Sequence, residues 1–94
     1  SQQTNNPIKT ITENVGVGGV CVVLKQELKR FSACRGSVEL DHQLPRVESK
    51  GRVIWTVVTG KAGSTKKSYD TGIEFKDMEA PVSEMLREYL RQRT

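Results

Sequence analysis

The order of hydrophobic and polar residues divides the chain into short alternating segments followed by one helical stripe. After a polar start, "SQQTNN", the segment 7–13, "PIKTITE", carries β-branched residues and predicts a short strand opened by Pro7. Ile8 and Ile11 fall on its opposite faces. Val20 to Leu24, "VCVVL", is a continuous apolar run, the pattern of a strand covered on both sides. Lys25 to Gly36 fits a helical turn through Leu24, Leu28 and Phe31 as well as it fits a loop. Val38, Leu40, His42 and Leu44 alternate with Glu39, Asp41 and Gln43, which predicts a half-buried strand ended by Pro45. In "GRVIWTVVTG" the alternation puts Val53, Trp55 and Val57 on one face and Ile54, Thr56 and Val58 on the other, and this is the firmest strand of the chain. Gly60 to Asp70 reads as a polar hairpin connection carrying Lys61, Lys66 and Lys67. "YDTGIEFKD" reads as the last strand, with Ile73 and Phe75 pointing one way.

The period then changes. Val82, Met85, Leu86, Tyr89 and Leu90 recur at the spacing of an amphipathic helix. Pro81 suits its first position. Asp77 and Glu79 precede the positive end of the dipole, and Arg87, Arg91 and Arg93 stand at the negative end. About five strands followed by one helix predict an all-β class with a single helix. Its form is a small antiparallel barrel, with the C-terminal amphipathic helix covering one opening.

Composition narrows the setting. The 94 residues make one domain, 1–94. The chain opens on Ser1 and not on Met, so it is expected to be part of a longer protein. Apolar content of 35% and charged content of 28% fit a folded globular domain and not a disordered one. No apolar run approaches the ~20 residues that span a bilayer, and no signal-peptide pattern is present. No membrane insertion by this segment is expected, and the expected location is cytoplasmic, alone or as the cytoplasmic part of a membrane-associated protein. The net charge of +4 permits an anionic partner.

The sequence carries no catalytic signature. "GVGGVC" puts Cys21 where a dinucleotide-binding motif has glycine, and "GKAGSTKK" lacks the P-loop spacing. His42 is the single histidine, so neither a Ser-His-Asp set nor a histidine-rich metal site is available. Its place among apolar residues predicts packing at a strand end. Cys21 and Cys34 read as reduced thiols in or near the core, with a disulfide as the alternative. The apolar run around Cys21 blunts its reactivity. No enzyme activity and no cofactor are expected. Arg87 and Arg91, in "REYLR", share a helix face and read as solvated residues in preference to an anion clamp, and the lysine loop reads as a solvated tip. A nucleic-acid-binding barrel presents several exposed aromatics for stacking. Here Phe31, Trp55, Tyr69, Phe75 and Tyr89 fall mostly at core positions, so no DNA or RNA partner is expected.

Gly16, Gly18 and Gly19 crowd in front of the run Val20 to Leu24, a pattern that lets backbone come close to something. The order of segments around them resembles the PilZ domain family, the bacterial receptors for cyclic di-GMP, over most of residues 8–90. "NVGVGG" is similar to the family pattern [DN]-x-[SA]-x-x-G, "GRVIW" to a G-x-V-x-W strand, and "TGIEF" stands before the closing helix. The resemblance implies an approximately six-stranded barrel that binds cyclic di-GMP at its rim through Asn14, Gly16, Gly18 and Gly19. Binding would be passed to a neighbouring domain or effector protein. Asn14 matches the Asp/Asn position and Gly19 the final glycine. Gly16 stands where the family has Ser or Ala, which removes a side-chain hydrogen bond worth about 0.5–1.5 kcal/mol. The family also carries R-x-x-x-R before the first strand, whose guanidinium groups stack on guanine and pair with phosphate. No arginine precedes Arg30 here. Either those arginines lie upstream of Ser1, or the chain is a PilZ-like protein-interaction domain that does not bind the nucleotide.

Overall fold

The computed structural model describes residues 12–60 and 66–92. Five strands and one helix follow in order: β1 Thr12–Val15, β2 Gly19–Leu24, β3 Ala33–Val38, β4 Val47–Thr59, β5 Ser68–Lys76 and α1 Ala80–Arg91. The strands form one antiparallel sheet in the order β1-β2-β5-β4-β3. An all-β fold with one C-terminal helix is what the patterning predicts, and it accords with a small PilZ-like barrel. Most of the strand expected over 7–13 lies outside the described residues, as does Lys61.

The central ladder joins β2 to β5, with Val20 opposite Ile73, Val22 opposite Thr71 and Leu24 opposite Tyr69. Val20, Val22 and Leu24 are buried, and Val15, Leu28, Ile73 and Phe75 pack against them. Each such side chain contributes roughly 1.5–3 kcal/mol on burial. β2 is not covered equally on both sides as the unbroken apolar run implied. Burial alternates along it, and Cys21 and Val23 on the outer face are half-buried.

β4 departs from simple alternation. Val53 stands opposite Ile73 and Trp55 opposite Gly72, so Ile54 is an extra residue on β4. Such a bulge exchanges the faces of everything beyond it. Val53 is 0% exposed, whereas Trp55 is 38% and Val57 54% exposed. The sequence reading that grouped Val53, Trp55 and Val57 on one face fails at this one residue.

Of the two readings left open for Lys25 to Gly36, the loop holds as far as Ser32, and β3, which neither reading foresaw, begins at Ala33. The segment after Val38 is not a strand: Asp41 accepts the Gln43 N–H on its side chain at 2.9 Å and the Leu44 N–H on its carbonyl at 2.9 Å. An Asx turn of this kind competes with ladder pairing. The alternating leucines instead reach the helix. Leu44 lines a cleft with Met85 and Tyr89, and the Tyr89 hydroxyl donates to the Leu40 carbonyl at 3.0 Å.

α1 starts at Ala80 with Pro81 in its first turn, and Leu86 is fully buried. Its far end stands between the two end strands of the sheet. Val15 of β1, Val38 of β3, Tyr89 and Leu90 line one cleft. The sheet therefore curls until its edges approach the helix from opposite sides. Cys21 on β2 and Cys34 on β3 are not joined in a disulfide, and β5 and β4 stand between them, so the thiol reading holds and the disulfide alternative does not.

Candidate functional site

The glycine turn joins β1 to β2. The Gly16 N–H donates to the Gly19 carbonyl at 2.8 Å, and the Phe75 N–H donates to the Gly18 carbonyl at 2.9 Å. None of the three glycines has a φ in the left-handed region, so turn geometry alone does not require them. A Cβ on Gly19 would collide with the Ile73 carbonyl oxygen and stand 3.3 Å from Glu74 Cα. Gly19 is therefore a site of close backbone approach to β5. Gly18 has nothing within 4 Å of a Cβ, and the nearest atom to one on Gly16 is the Gly19 oxygen at 3.9 Å. Both are exposed. The N–H groups of Val17 and Gly18 have no protein acceptor among the described residues.

Asn14 is exposed near the end of β1. It also lines the cleft beneath α1, about 250 Å³ in volume, together with Val15, Val38, Leu40 and Tyr89. The glycines do not line that cleft. The four residues read from the sequence therefore divide into one cleft residue and three turn residues.

Register carries Asn14 across the outer face. Asn14 stands opposite Cys21, Cys21 opposite Gly72, and Gly72 opposite Trp55. Directly opposed residues share a face, so Asn14 and Trp55 close one outer row, three strand spacings or about 14 Å apart. The Trp55 indole lies over Gly72, where Cε2, Nε1 and Cδ1 occupy the space a Cβ would need. A partly exposed aromatic surface thus faces the row that Asn14 begins. Sequence alternation hid Trp55 because the bulge at Ile54 is invisible in it. The signal that points to it is Gly72, a glycine inside a strand, which marks a close approach.

The next row of the same face is Arg52, Glu74 and Gly19, and the one beyond is Arg35, Lys50 and Lys76. The Lys76 ammonium lies 3.1 Å from Glu74 Oε1. Positive charge therefore lies beside the Asn14–Trp55 row and favours anions there.

Other sequence candidates lie elsewhere. The His42 side chain is 86% exposed in the 39–46 loop, 3.7 Å from Asp41, and does not pack at a strand end. Arg91 pairs with Glu88 while Arg87 is exposed, which fits solvated residues and not an anion clamp. Lys66 and Lys67 are exposed. Phe31 is 62% exposed with a φ of 69°, and the Arg30 guanidinium carbon sits 4.9 Å from its ring centre. Neither Phe31 nor Trp55 is the core aromatic that the sequence implied. Among the described residues, no helix is long and apolar enough to cross a membrane.

No curated protein and no solved structure matches the chain. A family model does, over residues 1–92, and its description is PilZ domain.

Proposed function

The chain belongs to the PilZ domain family, a family of cyclic di-GMP receptor domains and not of catalysts, and we propose that it binds cyclic di-GMP on the outer face beside the glycine turn. The observation that carries this reading is the single outer row with Asn14 at one end and the Trp55 indole at the other. Each component has a use for a cyclic dinucleotide. An indole face stacks a purine at about 1–3 kcal/mol per base. The Asn14 amide offers a donor and an acceptor to a guanine edge. The Val17 and Gly18 N–H groups and Arg52 offer donors to phosphate. No cofactor and no metal is needed for such binding. Because Asn14 also lines the cleft under α1, an occupied site would alter the packing of Tyr89 and Leu90. That gives binding a route to a neighbouring domain or effector protein.

A second reading is a PilZ-like protein-interaction domain that does not bind the nucleotide. It is favoured by Gly16, which has no hydroxyl. Titration calorimetry of the chain with cyclic di-GMP separates the two. The first reading expects saturable heat, weakened about tenfold or more by Trp55→Ala and also weakened by Asn14→Ala. Absence of binding up to millimolar nucleotide sinks it and leaves the second. Binding that ignores both substitutions moves the site elsewhere.

A further inference from the structure

The parity of the sheet decides which backbone groups of β3 are satisfied. The Val53 N–H donates to the Ser32 carbonyl at 3.0 Å, and the Phe31 N–H donates to the Val53 carbonyl at 2.6 Å. Cys34 then stands opposite Gly51, Gly36 opposite Ser49 and Val38 opposite Val47. Every second residue of an antiparallel strand bonds the same neighbour. Cys34, Gly36 and Val38 therefore turn their N–H and C=O groups to β4, and Ala33, Arg35 and Ser37 turn theirs away from it. β3 ends the sheet. Among the described residues nothing bonds to it on that side, and all three outward residues are exposed.

The side chains of this edge carry a matching charge. Arg35 stands opposite Lys50, and Lys50 opposite Lys76. Like charges directly opposed are destabilising. Glu74 offsets Lys76 at 3.1 Å, but Arg35, Lys50 and Arg52 have no carboxylate partner among the described residues. Glu48, opposite Ser37, and Glu74, opposite Arg52, bound the strip on either side. A strip this narrow suits a single linear anionic segment better than a broad anionic surface. It also opposes self-pairing, since β3 against β3 would put two Arg35 guanidinium groups on one side of one ladder.

We propose that the β3 edge is a docking strip for an extended acidic peptide segment of a partner protein, which adds to the sheet at Ala33, Arg35 and Ser37. Main-chain bonds supply the affinity in such strand addition and the side chains supply the selection. A carboxylate placed opposite Arg35 would extend the Arg35–Lys50–Lys76 row and relieve its repulsion. The strip lies on the opposite end strand from Asn14, so the proposal does not depend on nucleotide binding.

The test uses the whole chain and a fluorescein-labelled heptapeptide, TVEVEVT, with TVKVKVT as its charge-reversed counterpart. Anisotropy is expected to show the acidic peptide binding about tenfold or more tightly than the basic one, the size of effect a charge pair gives. Amide exchange is expected to slow at Ala33, Arg35 and Ser37. Arg35→Glu is expected to invert the preference between the two peptides while circular dichroism stays unchanged. Equal binding of the two peptides, protection of other amides instead, or peptide-free association through β3 would overturn the proposal. So would vesicles containing phosphatidylserine that bind the chain and fail to be displaced by the acidic peptide.

Discussion

The indole of Trp55 stands on Gly72, and a Cβ added at Gly72 would lie inside contact distance of the ring. The two residues face each other across the β4–β5 ladder, so each conditions the other. Gly72→Ala is expected to push the ring off the sheet and cost about 1–3 kcal/mol, the usual penalty of overpacking. Trp55 is the only tryptophan, so its emission reports the move as a red shift. In Trp55→Ala the obstruction is gone, and adding Gly72→Ala to it should cost far less than in the parent. A double-mutant cycle by urea denaturation measures that coupling; additive losses would show that the ring does not rest on Gly72.

Gly16 and Gly19 predict opposite outcomes from similar changes. Gly19→Ala sets a Cβ against the Ile73 carbonyl, which is backbone and does not yield cheaply. A loss of about 2 kcal/mol or more is expected, in the upper range for single substitutions. Gly16→Ser enters open space without a left-handed φ to forbid it. Stability should stay within about 0.5 kcal/mol. On the nucleotide-binding reading, the new hydroxyl should raise cyclic di-GMP affinity by about 0.5–1.5 kcal/mol. Thermal melts give the first pair of values and calorimetry the last.

These cases show where the sequence was legible. The stripe through Val82, Leu86 and Tyr89 placed α1 because helical periodicity is set locally. Strands β2, β4 and β5 were readable because each carries its own apolar run or alternation, whereas Ala33–Val38 carries little apolar signal and β3 was not foreseen. The face of Trp55 was not, since one extra residue at Ile54 inverts parity without altering composition. Nor was the segment from Leu40 to Leu44, where an apolar alternation made for the helix imitates one made for a sheet. At the turn, "NVGVGG" located Asn14 beside the exposed loop. It could not show that, of the three glycines, only Gly19 has β5 in the way of a side chain, because that depends on residues fifty-four and more positions away in the chain.

Cys34 gives a pH dependence. Its Sγ lies 3.3 Å from where a Cβ of Gly51 would be, and burial raises the thiol above its ordinary value of 9.0. Below pH 9 the thiol is neutral in both folded and unfolded chains and favours neither. Above it the unfolded chain ionises first, so stability falls as pH climbs toward the folded value. Denaturant melts at pH 8 and pH 10.5 should therefore show a larger loss for the parent than for Cys34→Ala. An identical loss in both proteins would remove Cys34 as the cause.

Thr56 should gain from losing its hydroxyl. Its Oγ1 is buried without a hydrogen-bond partner among the described residues. It stands opposite Thr71, which is fully buried and donates its own hydroxyl to the Tyr69 carbonyl at 3.3 Å. A buried hydroxyl left unpaired costs about 1–3 kcal/mol of desolvation. Valine has nearly the same shape, suits a strand at least as well, and brings no polar atom into the site. Thr56→Val is therefore expected to stabilise the chain by about 1 kcal/mol, against the usual direction for a single substitution. Thr71→Val offers the internal control, because there a made hydrogen bond is removed and the Tyr69 carbonyl loses a donor. Urea midpoints that move up for Thr56→Val and not for Thr71→Val bear out the difference. A drop for Thr56→Val would mean that its hydroxyl is satisfied in solution.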